Sequence, residues 1–277
     1  MRARPETACR LEPSGANVQR VVMKTQTVTI AREGGVAIVT YDRGGRANAM
    51  SFAVMDELAA AAASFVDDTE LRCVVLTGTD RIFSAGMDLS DPVFDQINDM
   101  PLQDKRHYSE RGPRLGRAWA GIEVPVVCAI EGPCLAGGLA LASMCDFRVA
   151  SQSARFGAPE VQVAHNMGWH SVPRLIALVG VQATRRVLLA GEEWTADEAR
   201  RLGFADEVCE AGGALTAAKQ MAERIAGYPG LAVRMIKRQI DASAHALDYA
   251  TSAYDKDQQL VAWMSDDFQV ARAKFAK

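Results

Sequence analysis

Two short loops carry the residue types most able to do chemistry. The first, Ile82-Phe83-Ser84-Ala85-Gly86-Met87-Asp88-Leu89, follows the apolar run CVVLTG. The second, Glu131-Gly132-Pro133-Cys134-Leu135-Ala136-Gly137-Gly138, follows PVVCAI. Both sit where an α/β sheet sets its ligand loops, beyond the carboxyl ends of strands. Their small residues allow the backbone to approach a ligand closely. Gly137-Gly138 also opens LALASMCDF, which has the composition of a buried helix whose first N–H groups and dipole favour negative charge. Two such loops can aim two N–H groups at one oxygen, forming an oxyanion hole. On residue type alone, a tight turn under close packing remains the stronger explanation of Gly137-Gly138.

The elements that must hold these loops are legible. TVTIAREGGVAIVTYD forms two β-rich runs broken by Glu33-Gly34-Gly35, a hairpin pattern. Ser51 is placed to cap a helix over 52–66. Cys73–Thr77 and Pro125–Ile130 are short, fully apolar strands, and Phe147–Ala150 extends as a third. Buried strands alternating with helices indicate α/β architecture with a mainly parallel sheet. Residues 92–118, with Pro92, Pro101 and Pro113, suggest a mobile irregular loop entering a charged helix. From Thr195 onward the pattern is helical. Thr195-Ala196-Asp197-Glu198 is a capping box and Gly203 a helix stop.

The 277 residues are 49% hydrophobic with a net charge of -3, enough for a large core. No basic run has the density of a nucleic-acid footprint. The six cysteines include several in apolar runs and no CxxC pair, which favours buried thiols and a reducing, cytoplasmic setting. No apolar run of about 18 residues suggests a membrane span. Residues 1–22 are arginine-bearing, but Glu6, Glu12 and two prolines weaken an amphipathic leader. We expect a disordered tail there, a core over 23–200, and a helical region over 201–277. GxGxxG, GxxxxGK[ST] and GxSxG are absent, so nothing supports a Rossmann, nucleotide-hydrolysing or α/β-hydrolase reading.

LRCVVLTGTDRIFSAGMDLSD resembles the first signature of the enoyl-CoA hydratase/isomerase, or crotonase, family. IEVPVVCAIEGPCLAGGLALASMCDFRVAS resembles its second, FGAPEV followed by PRLIALVG its third, and WTADEARRLGFADEV its fourth. They occur in family order and spacing over roughly residues 25–277. The resemblance implies an α/β, crotonase-type spiral of strand-strand-helix units with a helical C-terminal region. It implies a coenzyme A thioester as substrate, no permanently bound cofactor, no metal, and a homotrimer or dimer of trimers.

The resemblance also implies roles. The amides of Met87 and Gly137 form the oxyanion hole. Ala85, Met87 and Leu89 line the path of the adenine and pantetheine. Arg43 sits near the cofactor phosphates, and Phe275 matches an aromatic that contacts coenzyme A. The family's hydratases hold water with two glutamates. One position is filled here by Glu160, the other by Ala140. A methyl group can neither bind nor deprotonate water, and loss of one general acid or base costs roughly 10²–10⁴ in rate. One base suffices for a proton shuttle, so double-bond isomerisation is favoured. Hydration or hydrolysis needs a substitute acid, for which His107, Tyr108, Glu110, His165 and His170 are the candidates. A non-catalytic acyl-CoA-binding protein is the reading from another class. His165 and His170, five apart, make a poor helical metal pair.

Overall fold

The computed structural model describes residues 20–274. Its main sheet has seven strands in the order β1-β2-β3-β4-β5-β7-β10. These are β1 (Arg20–Lys24), β2 (Val28–Glu33), β3 (Val36–Tyr41), β4 (Cys73–Thr77), β5 (Val126–Ile130), β7 (Phe147–Ser151) and β10 (Glu207–Cys209). A second, three-stranded sheet runs β6-β8-β9, from β6 (Pro133–Leu135), β8 (Arg155–Gly157) and β9 (Glu193–Thr195). The first three strands of the main sheet pair antiparallel, and β3 through β10 pair parallel.

The expected hairpin, the Ser51-capped helix and the apolar strands are all present. The Ser51 side chain accepts from the Val54 amide at the start of α1 (Phe52–Ala63). Strands β4 and β5 are buried along their whole length. That explains their uninterrupted apolar composition, because a parallel sheet is covered on both faces.

Three expectations need correction. Residues 20–22 of the expected tail belong to β1, which pairs Arg20 with Arg32 and Lys24 with Thr29, and residues 1–19 lie outside the described residues. The fold therefore starts before Met23. Residues 92–118 are helical, comprising α2 (Val93–Gln96), α3 (Leu102–Ser109) and α4 (Arg111–Ala120). Pro101 caps α3, and Pro113 lies in the first turn of α4, where a missing N–H costs no hydrogen bond. Past residue 200 the chain is not wholly helical, since β10 joins the main sheet beside β7. The short strands β6, β8, β9 and β10 are three residues each, too short for alternation to announce them.

The remaining helices are α5 (Gly137–Ser143), α6 (Ser171–Leu189), α7 (Ala196–Leu202), α8 (Ala214–Ala226), α9 (Gly230–Ala244), α10 (Asp248–Ser252), α11 (Asp255–Trp263) and α12 (Asp266–Arg272). Every residue of α5 is buried. Glu131, in the second loop, is buried at 6% exposure and accepts from the amides of Gly212 and Ala214. It thus caps the start of α8 and locks the loop to the opposite face of the sheet. The buried Arg148 guanidinium binds the carbonyls of Phe204, Cys145 and Asp146, tying β7 to the ends of α5 and α7. Among the described residues no helix is long and apolar enough to cross a membrane.

Candidate active site

Strands β4 and β5 pair in parallel, so their following loops emerge side by side. The loops are then laced together. Phe83 and Ser84 amides both donate to the Pro133 carbonyl, at 3.1 and 3.0 Å, and the Leu135 amide donates to Ser84 O at 2.9 Å. Gly86 has φ +97°, and a Cβ there would collide with the Ala136 methyl and lie 3.1 Å from Gly137 N. The two glycine-bearing segments are therefore in direct contact, and this contact requires glycine.

The amides flanking the two candidate donors are already used. Gly86 N donates to Ser84 Oγ, Asp88 N to Met50 O at 2.9 Å, and Ala136 N to Gly157 O at 2.8 Å. Met87 N and Gly137 N donate to no acceptor among the described residues. Gly137 is the first residue of α5, where an N–H has no intrahelical partner. Ala136 ahead of it holds φ +51°, a strained value for a residue with a side chain. The strain lies at the bend that leads into this free amide.

Met87 and Gly137 line one cavity of about 870 Å³, which Ala85, Leu89, Ala140 and Glu160 also line. Glu160 lies on the 3-10 turn Pro159–Val163. Its carboxyl Oε2 is buried without a hydrogen-bond partner, and burial pushes its pKa up to about 7. Ala140 is on α5, one turn beyond Gly137, and is 2% exposed. Trp169 forms a wall: a Cβ on Gly137 would come 2.6 Å from the indole, and a Cβ on Gly112 would collide with it. Trp169 and His170 both hold left-handed φ, at +62° and +61°.

The structure separates the candidate substitute acids. His165 alone among them lines the cavity. Its Nδ1 lies 2.6 Å from the Asn166 carbonyl, so Nδ1 carries the proton and Nε2 presents a lone pair. That Nε2 is buried and unpartnered, and burial pushes the ring down to a pKa of about 4, keeping it neutral. His170 faces away from the cavity, with Nδ1 on Ser252 Oγ and Nε2 accepting from Arg117. Glu110 pairs with Arg117 and Lys256. Tyr108 packs on Phe52 under the Arg111 guanidinium, and His107 is exposed.

Arg43 is not free to meet a phosphate. It pairs with Asp88 at 2.6 Å and donates to Ala49 O at 3.1 Å, buttressing the first loop from behind. Burial alone would raise the Asp88 carboxyl, but bonds from Ser90 and Arg43 outweigh it and hold Asp88 below the usual carboxylate range. The cations that line the cavity are Arg46, 63% exposed, and Lys274. Phe275 lies outside the described residues. Gln259 and Lys274 also enter the cavity wall from α11 and just beyond α12. They have no local signal, because about a hundred residues or more separate them from the loops they meet.

Residues 31–276 match the family model described as enoyl-CoA hydratase/isomerase. The chain belongs to the enoyl-CoA hydratase/isomerase family. It is 32% identical to the short-chain-enoyl-CoA hydratase of Clostridium acetobutylicum, over 79% of this chain and 82% of that one. It is 31% identical to the enoyl-CoA hydratase EchA19 of Mycobacterium tuberculosis, over 90% and 92%. An enoyl-CoA hydratase structure from Mycobacterium avium subsp. paratuberculosis superposes with TM-score 0.82 at 23% identity, covering 91% of this chain and all of that one. The crotonase fold expected from the four signatures is thereby established, and with it an enzyme of the family that acts on acyl-CoA thioesters.

Proposed function

We propose that this enoyl-CoA hydratase/isomerase family member converts a 3-enoyl-CoA to the conjugated 2-enoyl-CoA. The Met87 and Gly137 amides hold the thioester oxygen, and Glu160 is the only carboxylate that acts on the acyl carbons. Glu160 takes the proton from C2, and the electron pair moves through the carbonyl to leave a dienolate oxygen on the two amides. The same carboxyl then returns the proton at C4. One base serves both steps because the proton never leaves it. The observation that carries this reading is the pairing of a buried, unpartnered Glu160 carboxyl with a methyl group at residue 140, in the cavity that both free amides line. Loss of one oxyanion donor costs about 10²–10³ in rate, so the two amides supply a large part of the catalysis.

The adenine and pantetheine path runs past Ala85, Met87 and Leu89. The phosphates fall to Arg46 and Lys274 at the cavity mouth. Coenzyme A enters as part of the substrate. Assembly into a trimer or dimer of trimers is part of the proposal, as is a cytoplasmic setting.

Hydration is the second reading, and two observations favour it. The curated relatives are named hydratases, and His165 places a neutral, unpartnered Nε2 in the cavity as a possible water acceptor. Absorbance assays with crotonyl-CoA and a 3-enoyl-CoA separate the two. Isomerisation faster than hydration supports the proposal, and rapid crotonyl-CoA hydration overturns it. Glu160→Gln is expected to lower isomerisation by at least about 10²-fold while sparing thioester binding. Unchanged turnover would remove Glu160 from the mechanism.

A further inference from the structure

The cavity wall carries a second polar feature that the proton shuttle does not use. His165 Nε2, Asn166 Oδ1 and Gln259 Oε1 are all buried without a hydrogen-bond partner, and all three residues line the cavity. Two of the three are fixed as acceptors. His165 spends its single N–H on the Asn166 carbonyl. Asn166 directs its Nδ2 to the Asp255 carbonyl at 3.3 Å, which leaves Oδ1 on the other side. Gln259 lies four residues after Asp255 on α11, on the same face of the helix. A Cβ on Gly168 would lie 3.5 Å from Gln259 Oε1, so the 165–168 turn and this face of α11 are packed together. Met167, Trp169 and Ala140 supply apolar wall to the same cavity, which Glu160 and Gln162 also line.

Desolvated acceptors without donors are costly, and an alkyl chain lying over them would supply none. We propose that the acyl pocket selects a thioester whose acyl group carries a hydroxyl beyond Cβ, with that hydroxyl donating to the acceptor cluster of His165, Asn166 and Gln259. The inference rests on the acyl-CoA reading of the site but not on which reaction follows. Sites built to hydrogen-bond a substrate hydroxyl reject the analogue lacking it by up to about 10⁴–10⁵. Ligand hydroxyls here compete with water, so a preference of at least about tenfold is expected.

Calorimetry on the full chain tests this with matched saturated acyl-CoA triplets of six, eight and ten carbons. Each triplet has a terminal hydroxyl, a terminal methyl ether, or no oxygen. At the best-fitting length the hydroxyl form should bind at least tenfold tighter than both others. The methyl ether controls for polarity, since it accepts but cannot donate. Asn166→Leu and His165→Phe should bring the ratio towards one while the unsubstituted thioester binds as well or better. Thioester binding without a hydroxyl preference at any length overturns this inference and leaves the family's substrate class intact. Failure of every thioester to bind overturns both.

Discussion

At the scale of single residues, burial decides the protonation states. Glu160 Oε2 has no hydrogen-bond partner among the described residues and only the residue's own backbone opposes burial, so desolvation dominates and its pKa rises to about 7. The base form then predominates only above neutrality. The isomerisation rate, as kcat/KM, should therefore rise with pH through a single ionisation near 7, measured by absorbance across pH 5–9. The stability consequence has a definite sign. A carboxyl with a raised folded pKa favours the native state fully below its ordinary pKa and loses that contribution as pH climbs through about 7. Glu160→Gln should thus equal the parent near pH 4 and exceed it at pH 8 by up to about 3 kcal/mol, read from denaturant titrations. A variant less stable at both pH values would contradict the assigned burial. Burial acts on the Cys73 thiol in the same direction, pushing it up to about 12, which makes it an inert core residue.

At the scale of elements, the site is a junction between two strand-ending loops. Its geometry depends on glycine where side chains would meet. Gly86→Ala adds a methyl against Ala136 at a left-handed φ, with Gly137 N only 3.1 Å from the new atom. The loops must separate, and the two amides with them. The variant is expected to keep its fold by circular dichroism while losing about 10²-fold or more in turnover, as when an oxyanion donor is removed. The same lacing explains which parts of the site a sequence makes visible. Gly86 and Gly137 stand next to apolar strands, so their loops are recognisable locally. Arg43 looks like a free cation in the sequence, yet the fold brings Asp88 to it across 45 residues of chain.

At the scale of the whole molecule, the C-terminal helices both close the cavity and leave apolar surface uncovered. Gln259 and Lys274 complete the cavity wall from α11 and beyond α12. On α9, Leu231, Met235, Ile236 and Ile240 are each more than half exposed, a face suited to subunit contact. The proposed assembly predicts a mass near 90 or 180 kDa by light scattering, three or six times the 29.9 kDa chain. A monomeric mass at micromolar concentration would contradict it. Ile240→Glu is expected to weaken assembly by placing a charge on this face.

The sequence alone determined the strands that are buried on both faces, the Ser51 and Thr195 caps, the two loops and the substitution of Ala140 for a carboxylate. Each is a local signal, carried by periodicity, by a capping side chain or by a signature at fixed spacing. Only the tertiary structure decided which polar groups share the cavity. His165 and His170 are five residues apart with equal standing in the sequence. Consecutive left-handed residues at 169 and 170 carry His170 to Ser252 and Arg117, while His165 stays in the cavity wall. Arg43 and Arg46 both reach Asp88, yet Arg43 is largely buried behind the first loop while the more exposed Arg46, which also bonds Ser90, lines the cavity. Desolvation and partner choice are properties of the packed interior, and both are set by segments far apart in the chain.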